Sequence, residues 1–117
     1  MEKRDRARLM AIITEVVCLN GVDFKEGEYT FELIMVITSG DRQGEEIDKR
    51  YEFSNNPPDY LRRDLLRLGF LIQTGEELAA ISDQLVGMIV RLSLDGDTSR
   101  IYIEDYFGRD DPKKYRR

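Results

Sequence analysis

The strong helix signals in this chain fall in one place, between Asn56 and Gly87, and strand-like segments lie on both sides of it. Leu9 to Leu19 is rich in β-branched residues and apolar on both faces, which predicts a central, curving strand. Asn20-Gly21 then signals a turn. A second strand is expected from Glu28 to Thr38, with Tyr29, Phe31, Leu33, Met35 and Ile37 on one face. After a hairpin loop, SGDRQG, a third strand is expected from Glu45 to Phe53. Ile47, Tyr51 and Phe53 point one way there, and Asp48, Arg50 and Glu52 the other.

Asn56-Pro57-Pro58 stops that strand and opens a helix, with asparagine as the cap and proline at the first helical position. Leu61, Leu65 and Leu68 form its buried stripe, and Gly69 its stop. Thr74-Gly75-Glu76-Glu77 is a capping box for a second helix with Leu78, Ile81 and Leu85 inward, ending at Gly87. Met88 to Leu94 and Arg100 to Phe107 read as a closing hairpin around Asp95-Gly96-Asp97. Ile101, Ile103 and Phe107 are expected to face inward, and Arg100, Tyr102, Glu104 and Tyr106 outward.

Three strands, a helical segment and two strands in 117 residues predict one domain, with a core over about 9–107 and charged tails at 1–8 and 108–117. That order is the order of an OB-fold: mainly β, a five-stranded barrel with helices between strands three and four. A ferredoxin-like fold would need a helix between Leu19 and Glu28, where the sequence offers none. An open α+β sheet is the alternative.

Several functions are disfavoured by composition. There is no histidine and a single cysteine, Cys18, so an internal disulfide, the common zinc sites and a Ser-His-Asp triad are unavailable. Cys18 sits in an apolar stretch and reads as a small core residue. Asp95 and Asp97 read as turn residues rather than metal ligands, and neither they nor Asp110-Asp111 make a catalytic constellation. No cofactor and no enzymatic activity are expected. No segment reaches the roughly 20 apolar residues of a membrane span, and MEKRDRAR lacks a signal peptide's apolar stretch. A cytoplasmic protein without a membrane partner is therefore expected.

The net charge of −5 conceals a pattern. Residues 1–8 hold four basic and two acidic groups, residues 108–117 five and two, and the span between them nine and nineteen. An acidic body repels nucleic acid unless its charges segregate by face.

The second half of the chain resembles a family. A glycine-led third strand ends on aromatics (Gly44 to Phe53), and a leucine-rich helix closes on Leu68-Gly69. A short acidic helix ends Leu85-Val86-Gly87, and the last hairpin finishes Ile103-Glu104-Asp105-Tyr106-Phe107. Over residues 28–107 this looks like the small bacteriophage OB-fold proteins of the single-stranded-DNA-binding class, many of unassigned function and often encoded beside recombination genes. The chain departs from that class in having no tryptophan and in ending on a basic tail. The resemblance implies an OB-fold and an accessory role with single-stranded DNA or RNA, with a replication or recombination protein as a further partner.

Single-strand binding needs positive charge for phosphates and exposed rings for bases. Tyr102 and Tyr106, with Arg100 beside them and Arg91 on the neighbouring strand, are the first candidates. The tail adds Arg109, Lys113, Lys114, Tyr115, Arg116 and Arg117, as a phosphate clamp or as a strip docking on an acidic protein surface. Arg4, Arg6 and Arg8 form a second basic strip, and Phe24 reads as packing under its own loop. Arg42, Lys49 and Arg50 share their hairpin with Glu45, Glu46, Asp48 and Glu52, which cancels most of their attraction for phosphate. Arg62, Arg63 and Arg67 read as a solvated helix face, with Asp59 placed to pair with Arg63. A different class of function, an acidic protein-interaction module acting as adaptor or inhibitor of a nucleic-acid enzyme, fits the body's charge.

Overall fold

The long apolar segment at the start of the chain becomes the strand that the others flank. The computed structural model describes residues 6–20, 28–95 and 100–115, and this segment is β1 (Arg6–Asn20). It is followed by β2 (Glu28–Ile37), β3 (Glu46–Ser54), α1 (Asp59–Arg67), α2 (Gly75–Leu85), β4 (Met88–Asp95) and β5 (Ile101–Arg109). A turn of 3-10 helix, Pro112–Lys114, closes the described chain. Phe24, Asp97, Arg4, Arg116 and Arg117 lie outside the described residues.

The five strands form one antiparallel sheet in the order β3-β2-β1-β4-β5. β1 serves two neighbours: its residues 11–20 pair with β2 and its residues 6–12 with β4. A bulge at Thr14 breaks the register with β2, and the Thr14 hydroxyl donates to the Ile34 carbonyl at 3.3 Å. Bulges bend and twist a strand, and this one falls just after β1 finishes its pairing with β4. Ile12 and Ile13, on opposite faces, are both fully buried. The mainly-β expectation therefore holds at this level, as a five-stranded antiparallel sheet with two helices.

The inward rows pack on both helices. Phe31, Leu33 and Met35 of β2, Tyr51 of β3, and Val90 and Leu92 of β4 meet Leu61 and Leu65 of α1 and Leu78 and Leu85 of α2. Cys18 packs against this cluster, and burial pushes its thiol up, an effect that a hydrogen bond with Ser82 partly offsets. The capping box of α2 is present: the Glu77 N–H donates to Thr74 Oγ1 at 3.1 Å, and the Thr74 N–H to Glu77 Oε1 at 3.0 Å. Gly87, at φ 94°, ends the helical segment, and a Cβ there would meet the Asp110 carbonyl at 2.9 Å.

Two local readings are corrected. α1 begins at Asp59, with Pro58 as its cap at ψ 164°, rather than at Asn56-Pro57. A residue preceding proline is pushed out of the helical region, so neither Asn56 nor Pro57 can start the helix. The second correction concerns β5, whose register with β4 shifts twice, at Glu104 and at Phe107. Tyr102 lies opposite Ser93, and Tyr106 opposite Val90. Those two β4 residues point to opposite faces, so Tyr102 and Tyr106 do not share the outer face. Phe107 is 51% exposed rather than inward, and the Arg91 guanidinium lies 5.3 Å from its ring centroid.

The packing of Gly75 generates a prediction. A Cβ there would sit inside van der Waals distance of the Tyr29 ring, and that ring is stacked on Phe53 with centroids 5.2 Å apart. Alanine gains about 1 kcal/mol of helix propensity over glycine, and overpacking costs about 1–3 kcal/mol. Gly75→Ala is expected to lower stability by roughly 1–2 kcal/mol in urea unfolding; a more stable variant would show that the Tyr29 ring yields freely.

Candidate functional site

The sheet ends on two edges, β3 and β5, and α1 spans the space between them. Among the described residues, no ladder joins β3 to β5. Lys49 of β3 instead donates its ammonium to the Ile101 carbonyl of β5, and Arg67 of α1 donates to the Ile103 carbonyl at 2.9 Å. Cationic side chains thus take up carbonyls that a neighbouring strand would otherwise satisfy.

Between these elements lies an open cleft of about 650 Å³. Its floor is a buried polar network. Asp64 of α1 is 5% exposed, accepts from the Tyr51 hydroxyl at 2.6 Å, and pairs with Lys49 at 3.1 Å. Burial first, then the charge of Asp64, hold the Tyr51 phenol well above its ordinary value. The Tyr60 ring stacks on Tyr51 with centroids 5.8 Å apart. The Lys49 ammonium lies 5.3 Å from the Tyr51 centroid and 5.8 Å from that of Tyr102, within range of cation–π attraction.

The walls come from α1 and from the start of β5. Tyr60, Arg63, Asp64 and Arg67 fall at positions i, i+3, i+4 and i+7, which puts them on one helix face, and all four line the cleft. Arg100 and Tyr102 line it from the other side. Asp59 pairs with Arg62 rather than Arg63. Among the described residues, no salt bridge involves Arg63 or Arg67. Two guanidiniums without a carboxylate partner face a cleft with exposed rings, an arrangement suited to an anionic ligand with planar groups.

Most of the acids gather on another face, although Asp48 also reaches the rim of the cleft. The even-numbered residues of β3 face outward, so Glu46, Asp48 and Glu52 share a face with Glu32 of β2 and Glu15 of β1. A hydrogen bond with Asp48, its neighbouring charge and that of Glu15 raise the Glu32 carboxyl above the ordinary range, against the pull of Arg50.

Of the sequence candidates, Arg100 and Tyr102 enter the cleft. Arg91 instead sits in an ion-pair cluster, with Glu104 at 3.3 Å and Asp105 at 3.7 Å. Tyr106 is 38% exposed, on the other face from Tyr102. Arg109 turns back to the end of α2 and donates to the carbonyls of Val86 and Gln84. Lys114 and Tyr115 both bond Asp110, at 3.1 and 2.8 Å. Those two bonds, with the Asp111 N–H, hold the Asp110 carboxyl below its ordinary range. Lys113 is exposed on the 3-10 turn.

The sequence reading set aside Lys49, Arg63 and Arg67 as ion-paired or solvated and missed Tyr60. The signals were present: Lys49 interrupts the inward row Ile47, Tyr51, Phe53, and Tyr60, Arg63 and Arg67 make a polar stripe beside the leucine stripe of α1. Among the described residues, no three of His, Cys, Asp or Glu converge as a metal would require. No described helix is long and apolar enough to cross a membrane.

Two outcomes test this geometry. Folding holds Tyr51 protonated, so its contribution is complete below the unfolded value near 10 and falls as pH rises past it, by about 1.4 kcal/mol per pH unit. Between pH 8 and pH 11 the wild type should lose about 1.4 kcal/mol more unfolding free energy than Tyr51→Phe; equal losses would mean that the phenol ionises in the native state. Arg109→Ala should lower stability by about 1–2 kcal/mol, because it removes charged donors from the α2 C-terminus. An unchanged urea midpoint would show that water replaces it.

No protein-family model, no curated protein and no solved structure matches the chain.

Proposed function

We propose that the chain is a sequence-nonspecific single-stranded nucleic-acid-binding protein whose site is the cleft between β3, α1 and β5. The observation that carries this reading is the pair of guanidiniums without a carboxylate partner, Arg63 and Arg67, beside the exposed Tyr60 ring and on the same cleft as Arg100 and Tyr102. Rings on which bases stack and cations that neutralise phosphates are the two requirements of single-strand binding. A duplex offers phosphates but buries its base faces, so the rings favour a single strand.

The fold reading that accompanies this is an OB-type barrel. Its support is the strand order, the helices between β3 and β4, and the Lys49 bridge drawing the β3 and β5 edges together. An accessory role of phage or mobile-element type, with DNA or RNA as ligand and a replication or recombination protein as partner, rests on the resemblance over residues 28–107.

The outward carboxylates Glu15, Glu32, Glu46, Asp48 and Glu52 favour a second reading, an acidic module that holds a basic protein. The test is fluorescence anisotropy with labelled oligo-dT at low and moderate salt. Wild type should bind in a salt-dependent manner. Arg63→Gln should weaken binding and flatten the salt slope by ~0.7, as expected for one lost phosphate contact on a single strand. No binding at low salt would sink the nucleic-acid reading and leave the acidic face as the functional one.

A further inference from the structure

Beyond the cleft, we infer that the outer surface of α1, with the turn that follows it, is a docking site for a short acidic protein segment carrying apolar side chains. The two most exposed large hydrophobic side chains among the described residues lie there: Leu66 is 58% exposed and Leu71 76%. Neither can turn inward. Leu61, Leu65 and Leu68 already fill the core-facing stripe of α1, and Leu66 falls on the opposite side, with Arg62 and Arg63. Gly69, at φ 96°, ends the helix: its N–H bonds the Leu66 carbonyl and the Phe70 N–H bonds the Leu65 carbonyl, each at 2.9 Å. Phe70 then packs against the core and Ile72 lies within it, which holds Leu71, between them, out in solvent. Two leucines are thus presented on fixed backbone at one end of one helix.

The charge beside these leucines selects the partner. Arg63 stands three residues before Leu66 and four before Arg67, spacings at which helix side chains are neighbours. Arg62 is paired with Asp59, and Asp64 with Lys49. Arg63 and Arg67 are left without a carboxylate partner among the described residues, and Arg67 gives only one nitrogen to the Ile103 carbonyl. Between residues 59 and 73 the chain has no acid besides Asp59 and Asp64. Glu76 and Glu77 follow in the first turn of α2, where the helix dipole favours them. Asp48 reaches the cleft rim from β3, where Arg50 and Arg100 also line it. A second copy docking through the same face would set arginine against arginine, which is repulsive. A nucleic-acid strand would engage the arginines and leave the leucines uncovered, because bases stack on rings. A segment with carboxylates for Arg63 and Arg67 and apolar side chains for Leu66 and Leu71 satisfies both, by charge-assisted hydrogen bonds and by burial.

The experiment is selection of short random peptides from a display library on the immobilised full chain, followed by fluorescence anisotropy of the selected peptides at low and moderate salt. Enriched sequences should combine aspartate or glutamate with leucine, isoleucine or phenylalanine. A Leu66→Ser, Leu71→Ser double variant should bind them roughly tenfold more weakly or worse, and Arg63→Gln should weaken them and reduce their salt dependence. Because both leucines are exposed, the double variant should keep the wild-type urea midpoint and the wild-type affinity for oligo-dT. The docking site is overturned if nothing is enriched, if the enriched peptides are basic or neutral, or if they bind the double variant as tightly as wild type. A double variant that loses oligo-dT as well would assign the leucines to the strand site and overturn it too. So would leucine-dependent adsorption to phosphatidylserine vesicles with no peptide selected, which would identify a lipid surface instead. Peptide binding without oligo-dT binding removes the nucleic-acid reading and leaves the docking site standing; oligo-dT binding without peptide enrichment does the reverse.

Discussion

The Asp64 carboxylate is the constraint on which the rest of the molecule is hung. It is buried, and a buried carboxylate without partners costs several kcal/mol. Tyr51 and Lys49 answer it from β3, and Lys49 reaches on to β5 through the Ile101 carbonyl. One side chain on α1 thereby fixes the helix against both edges of the sheet. The edges are held near each other without being zipped together, because side chains rather than a backbone ladder span the gap. That is why a cleft exists there at all, and why its floor is rigid enough for Tyr60 to stack on Tyr51.

Such a network also divides the protein's charge. With Lys49 and Asp64 neutralising each other at the floor, the other charged residues lining the cleft are Arg50, Arg63, Arg67 and Arg100 against the single carboxylate of Asp48. The acidic excess of the body lies to a large degree on the outer face of β1, β2 and β3, where like charges crowd enough to raise Glu32. At physiological salt the screening length is about 8 Å, so an acidic face behind the sheet weakens a cationic cleft much less than the net charge of −5 suggests. The objection that an acidic chain repels nucleic acid is thus one about averages.

The elements were legible in the sequence because their signals are local. The Thr74 capping box, the alternating rows of β2 and β3 and the leucine stripe of α1 each depend on residues within a turn or two. What was not legible depends on partners distant in sequence. The β5 bulges at Glu104 and Phe107 carry no glycine or proline signature, and each reverses the faces of the residues after it. Strict alternation therefore put Tyr102 and Tyr106 together and Phe107 inside. Lys49 was discounted because its sequence neighbours are acidic. Alternation points those neighbours the other way, and its true partner, Asp64, is on a helix. Arg63 was assigned to Asp59 on i, i+4 spacing, whereas Asp59 pairs with Arg62. Half of the cleft was visible as Arg100 and Tyr102, and the half on α1 was not.

The basic end of the chain makes sense as part of the same arrangement. α2 has no basic residue in its last turn, and its terminal carbonyls need donors. Arg109 supplies them, while the Asp110 N–H bonds the Gly87 carbonyl at 2.9 Å and the Gly87 N–H bonds the Ile13 carbonyl at 2.7 Å. β1, α2 and β5 are joined at that point. Tyr102 lies seven residues before Arg109, roughly 23 Å along the strand at about 3.3 Å per residue. β5 is therefore anchored at its far end by the tail and exposed at its near end to the cleft. Charges on the tail are taken up locally, Arg109 by the α2 carbonyls and Lys114 by Asp110. What they contribute is position: by fixing where β5 ends, the joint fixes where Arg100 and Tyr102 begin.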